Sequence, residues 1–191
     1  MNSKDVAALS IFTALTVALN LSPFKIPAPY APFLFYQLWE IPIVAAFALY
    51  GPLMAIAISV LNTIVLLILF PGALPTGPLY NLAAVLAMLL GIYLAHLMVK
   101  KEPLSQRFTV LNLLATGLGI SFRVVVMTLV NWAFIRYPPP IGFSMPEEVI
   151  LGILPLVALF NATLALYTIP IGYTLARAVS SGVKIGMWKP K

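Results

Sequence analysis

Almost nothing in this chain carries a charge where a soluble fold would need one. Asp, Glu, Lys and Arg make up 8% of the residues, against about 25% in soluble domains. Those present cluster in short breaks, and between the breaks run long apolar stretches bounded by Pro-rich or Lys/Arg-rich segments. A helix needs about 20 residues to cross about 30 Å of hydrocarbon. On that scale the chain divides into spans over about 6–21, 33–50, 53–70, 79–99, 108–134 and 149–176. The reading is an all-α integral membrane protein with six transmembrane helices, a single membrane domain over 1–191 with the lipid bilayer as its solvent. No hydrophilic stretch is long enough for a soluble domain.

Six spans put both termini on one side. With the N-terminus inside, Lys4, Lys100, Lys101, Arg107, Arg177, Lys184, Lys189 and Lys191 fall inside, and only Lys25 and Arg136 fall outside. This positive-inside bias predicts cytoplasmic termini and a multi-pass protein of the cell membrane. The net charge of +6 therefore reports topology, and no nucleic-acid partner is expected. The Pro-rich loops at 23–32, 71–78 and 137–146 then all lie outside, while Gly51-Pro52 makes a tight inner turn. The apolar stretch behind Met1–Asp5 reads as the first span and not as a removed signal peptide. Span 6 is long and carries Pro155 and Pro170, so it is expected to tilt or bend.

Polar side chains at membrane depth invite an explanation, because each one costs free energy there. Asn20, Glu40, Asn81 and Asn131 lie toward the outer helix ends, Asn62 and Asn161 near mid-span. Together they outline an outward-facing cavity lined by amides, which donate and accept and so suit a neutral, polyhydroxylated or heteroaromatic ligand. Trp39, Tyr80 and Trp132 flank the same level and can stack on a flat ring. The competing reading is structural: single amides also bridge helices, and interfacial Trp and Tyr form belts. Arg123 is deep enough to need protein or water around it; it pairs with Glu40, binds an anionic ligand group, or serves packing. On span 1, Ala7, Ser10, Ala14 and Ala18 share one helix face, a small-residue stripe that permits close helix approach, internal or to a partner.

Several chemistries are excluded. The chain has no cysteine and a single histidine, His96, so no thiol nucleophile, thiolate site or multi-histidine metal site forms. It lacks a Gly-x-Ser-x-Gly elbow, a His-Glu-x-x-His helix and a phosphate-cradling loop. No catalytic residue and no resident cofactor or metal is expected. Without a nucleotide-binding domain it cannot power transport alone. A membrane lipid enzyme would have to rely on Glu40 with Glu147 and Glu148, a poor set. A non-catalytic assembly subunit without ligand remains as another class.

Four segments then carry a resemblance: Ala14-Leu15-Thr16-Val17-Ala18; Glu40-Ile41-Pro42 with Gly51-Pro52; Leu61-Asn62 with Pro75-Thr76-Gly77-Pro78-Leu79-Tyr80-Asn81; and Leu129-Val130-Asn131-Trp132 with Ile153-Leu154-Pro155 and Phe160-Asn161. The chain resembles the substrate-binding S components of energy-coupling factor (ECF) transporters, most of all the riboflavin-specific members. The resemblance implies a high-affinity vitamin-binding subunit, not an enzyme, with riboflavin as the transported ligand. It implies Asn131 and Asn161 as ligand contacts, with Asn62, Asn81, Glu40, Trp39 and Tyr80 as further candidates. It also implies capture from outside under the loop between spans 1 and 2. A transmembrane coupling subunit would then dock on the Ala14/Ala18 face, and a pair of ATPases would drive delivery by toppling. Leu164 stands where some riboflavin members have Lys, and Glu40 where Asp is common, so folate, thiamine and pantothenate stay open beside riboflavin.

Overall fold

A computed structural model of the chain describes residues 3–70, 72, 74–99 and 104–190, with no account of the side chains of 104–107. Its elements in order are α1 (Ser3–Leu21), β1 (Ile26–Ala28), β2 (Ala31–Tyr36), α2 (Glu40–Tyr50), α3 (Pro52–Leu69), α4 (Gly77–Met98), α5 (Leu104–Phe134) and α6 (Glu147–Val183). Five of the helices are long and apolar enough to cross a membrane, and α2, at 11 residues, is not. Their outer surfaces suit lipid: Leu53, Ile68 and Leu113 each expose 70% or more of their area, which water would penalise and hydrocarbon does not.

The second span differs most from its sequence expectation. Helix α2 begins at Glu40, and the apolar residues before it form strand β2. β1 and β2 pair antiparallel as a hairpin, with Ile26 opposite Tyr36. Pro27, Pro29 and Pro32 explain the change, since proline removes a backbone donor and biases its neighbour away from helix. The hairpin leaves α2 short, and α2 is buried on every side from Glu40 to Leu49. It packs against α6, α3, α1 and α4. A helix that is apolar all round belongs in a core, not on a lipid face.

Helices α4 and α5 approach closely where a side chain is missing. A methyl on Gly91 would sit 2.5 Å from the Leu118 carbonyl oxygen, so only glycine permits the contact, in the manner of small-residue membrane interfaces. Helix α6 runs through both Pro155 and Pro170, where the carbonyls four residues earlier receive no proline N–H. The basic connection at Lys100 and Lys101, the terminal Lys191, and Pro71 and Ala73 of the second stiff loop lie outside the described residues.

At the end of the molecule opposite the hairpin, α2 turns into α3 at Gly51, with φ 92° and ψ −179°, a region in effect reserved for glycine. Beyond α6 the chain folds back over this corner. The backbone N–H of Trp188 donates to the Ala48 carbonyl at 2.9 Å, and its indole packs edge-on to Phe47 with ring centres 5.6 Å apart. A methyl on Gly51 would meet the Trp188 ring nitrogen at 2.5 Å. Gly51→Ala is therefore expected to cost about 1–3 kcal/mol from backbone conformation alone. It should lower the thermal midpoint in detergent, and Trp188→Ala should restore only the part due to the clash. An unchanged midpoint by tryptophan fluorescence would show that the corner relaxes freely.

Candidate functional site

A cavity of about 510 Å³ opens between the hairpin and the ends of α1, α4, α5 and α6. Its walls are partly aromatic, from Phe33, Tyr80, Phe143 and Phe160, and partly amide, from Asn20, Gln37, Asn81, Asn131 and Asn161. Residues of all three Pro-rich segments reach it, among them Lys25, Gly72 and Phe143. Two of these segments are tied together: the Thr76 hydroxyl donates to the Pro140 carbonyl at 2.5 Å and the Tyr80 hydroxyl to the Ile141 carbonyl at 2.8 Å.

The floor is polar and internally neutral. Arg123 on α5 donates from Nη1 to Glu40 Oε2 at 2.5 Å and from Nη2 to Glu40 Oε1 at 2.9 Å. Its Nε donates to Asn161 Oδ1 at 2.9 Å, and Asn161 Nδ2 donates back to the Val157 carbonyl at 2.9 Å. The two ions expose 3% and 2% of their side chains. Arg123 pairs with Glu40, one of the readings open from sequence, and it also lines the cavity. A bidentate Arg–carboxylate fork fixes both orientation and distance, so α2, α5 and α6 are locked together at one depth.

The hairpin is fastened over the cavity from the α6 side. Thr163 donates to the Leu159 carbonyl at 2.9 Å, which leaves its oxygen to accept from the Tyr36 hydroxyl at 2.6 Å. The Tyr36 oxygen then accepts from Tyr30 at 2.5 Å. The Tyr167 hydroxyl donates to the Gln37 carbonyl at 2.6 Å. Tyr36 also packs its ring on Phe160, with centres 5.0 Å apart. The link between spans 1 and 2 is thus a latched cover.

Not every candidate residue meets here. Asn131, Asn161, Asn81 and Tyr80 line the cavity. Asn131 spends one amide hydrogen on the Met127 carbonyl at 2.7 Å. Asn81 is exposed near the mouth. Glu40 sits behind Arg123, while Trp39 and Asn62 are buried elsewhere and are not among the lining residues. Sequence reasoning did not single out Gln37, which lines the wall from the link after β2. Its signal is masked because residues 33–39 are apolar enough to read as part of a span. On α1, Ala7, Ser10, Ala14 and Ala18 are all exposed, and the last three border a shallow groove against Leu61 and Val65 of α3.

No protein-family model and no curated protein sequence matches the chain. A solved structure does match, described as the S component of a bacterial ECF transporter: TM-score 0.71 over 96% of this chain and 99% of that one, at 22% sequence identity. The chain has the S-component fold.

Removing one member of the Glu40–Arg123 pair strands a buried charge, which costs about 3–5 kcal/mol. Arg123→Met is expected to lower stability by that order. The double variant Glu40→Leu with Arg123→Met should recover most of the loss, because it strands no ion. Thermal unfolding in detergent across the double-mutant cycle measures the coupling; additive losses would mean that the pair is not coupled.

Proposed function

We propose that this chain is the vitamin-binding subunit of an ECF-type importer, and that its ligand is riboflavin. The observation that carries the reading is the cavity. Its 510 Å³ lies within the range of about 300–1,000 Å³ typical of small-molecule sites. Its aromatic walls suit a flat ring, and its amides suit hydroxyl and carbonyl groups. Its one buried ion pair is satisfied internally, and Lys25 adds a single exposed cation to the wall. A non-binding assembly subunit has no use for such a space. The S-component fold supports the same reading, and binding rather than catalysis is the task that suits this set of groups.

In this proposal both termini face the cytoplasm and the cavity faces outward beneath the latched hairpin. The flat ring stacks in the aromatic wall, with Asn131 and Asn161 reading its edge and Asn81 and Tyr80 nearer the mouth. Glu40 acts through Arg123, and Trp39 and Asn62 support the helices behind. The groove of α1 receives a transmembrane coupling subunit, which brings a pair of ATPases. The exposure of Ala14 and Ala18 supports docking over internal packing.

Titration of the detergent-purified protein with riboflavin, followed by flavin fluorescence quenching, tests the ligand. Saturable one-to-one binding is expected. Binding of thiamine, folate or pantothenate in its place would keep the subunit reading and discard riboflavin; no binding of any would overturn both. Asn131→Ala is expected to weaken riboflavin about tenfold, equal to about 1.4 kcal/mol, with folding intact. Ala14→Trp should abolish uptake in cells that carry the full transporter yet leave binding unchanged, and undiminished uptake would remove α1 as the docking face.

A further inference from the structure

The hairpin has two feet, one at the end of α1 and one just before α2. Each foot carries an amide on the cavity wall, Asn20 and Gln37. Each amide has an atom with neither a hydrogen-bond partner nor appreciable solvent surface: Nδ2 of Asn20, a donor, and Oε1 of Gln37, an acceptor. Other buried polar atoms also lack partners, but among the described residues these two alone belong to side chains that line the cavity. Asn20 is 7% exposed. Native folds pair nearly all their buried polar atoms, and an exception asks for a cause. The contrast with the neighbouring amides is direct, since Asn131 and Asn161 each place their Nδ2 on a carbonyl of their own helix.

Packing does not supply the cause. The backbone at Gln37 is fixed by the Tyr167 hydroxyl on its carbonyl, so its side chain is held at the wall and not free in a mobile loop. Asn20 sits in the last turn of α1. Of the ions nearby, Arg123 and Glu40 satisfy each other, and Lys25, which also lines the cavity, bonds to neither unpartnered amide atom. A guest in the cavity can satisfy both, with small rotations that turn the amide ends toward it.

We infer that Asn20 and Gln37 are a specificity pair that reads the ligand across the two feet of the hairpin. The guest they fit offers two groups: an acceptor, such as a carbonyl or ring nitrogen, for the Asn20 amide, and an N–H or O–H donor for the Gln37 carbonyl. A ligand of one polarity leaves one foot unpaired, and site groups left unpaired discriminate strongly. The same two bonds tie the hairpin's feet to one molecule, so occupancy steadies the cover. The inference rests on the vitamin-binding reading and adds residues and ligand chemistry to it.

The test measures riboflavin affinity and ligand-free thermal stability for Asn20→Leu, Gln37→Met and the nearly isosteric Asn20→Asp, which replaces the donor with an acceptor. Each variant is expected to weaken riboflavin at least tenfold. The two apolar variants should leave the ligand-free midpoint unchanged or higher, because each removes an unsatisfied polar atom. Wild-type affinity in the variants, or a lowered ligand-free midpoint with unchanged affinity, would make the pair structural and overturn the inference. Wild-type protein that binds none of riboflavin, thiamine, folate and pantothenate would overturn the vitamin-binding reading, and the inference with it. The ligand-free midpoints of Asn20→Leu and Gln37→Met are the control for folding, since neither variant adds a charge at a buried site.

Discussion

One ion pair organises the interior. Glu40 opens α2, Arg123 lies mid-way along α5, and Asn161 of α6 holds the guanidinium from a third side. In a low-dielectric core neither ion is tolerable alone, so three helices must arrive at one depth and one rotation before either charge is satisfied. The cavity is what remains above that junction. Because these charges cancel inside the protein, the floor of that space is polar without a net charge, and Lys25 is left as the cation of its wall.

The hairpin and α2 are two outcomes of the same segment. A second span of full length would fill the region above Arg123. Proline spacing in 27–32 instead diverts the chain into paired strands, which lie across the top and bond to α6 through Tyr36, Gln37 and Thr163. Shortening the buried helix therefore creates the room, and the diverted residues roof it. The stiff connections at 74–78 and 137–143 close another side through hydroxyl-to-carbonyl bonds.

Much of this was legible in the chain. Charge scarcity and apolar run length give the long helices to within a few residues, as at α3 and α4, because lipid imposes one requirement along an entire span. The amide clustering pointed to Asn131, Asn161 and Asn81, which line one cavity. The strand at 31–36 was not legible: its residues are as apolar as those of a helix, and only tertiary packing decides between the two. Glu40 and Asn62 illustrate the other limit. Sequence gives a residue's position along a helix axis but not its rotation about that axis, so it does not show that Glu40 faces Arg123 or that neither residue lines the wall.

The fold-back of the C-terminal segment has a practical meaning for anyone observing this molecule at work. Its three tryptophans are divided between the two ends. Trp188 is seated against Phe47, Tyr93 and His96 at the α2–α3 corner, while Trp39 adjoins the hairpin and Trp132 follows the cavity residue Asn131. Each end thus carries its own optical label, supplied by the native sequence. Emission from single-tryptophan forms would report separately on the covered cavity and on the opposite face, without any foreign dye in the bilayer.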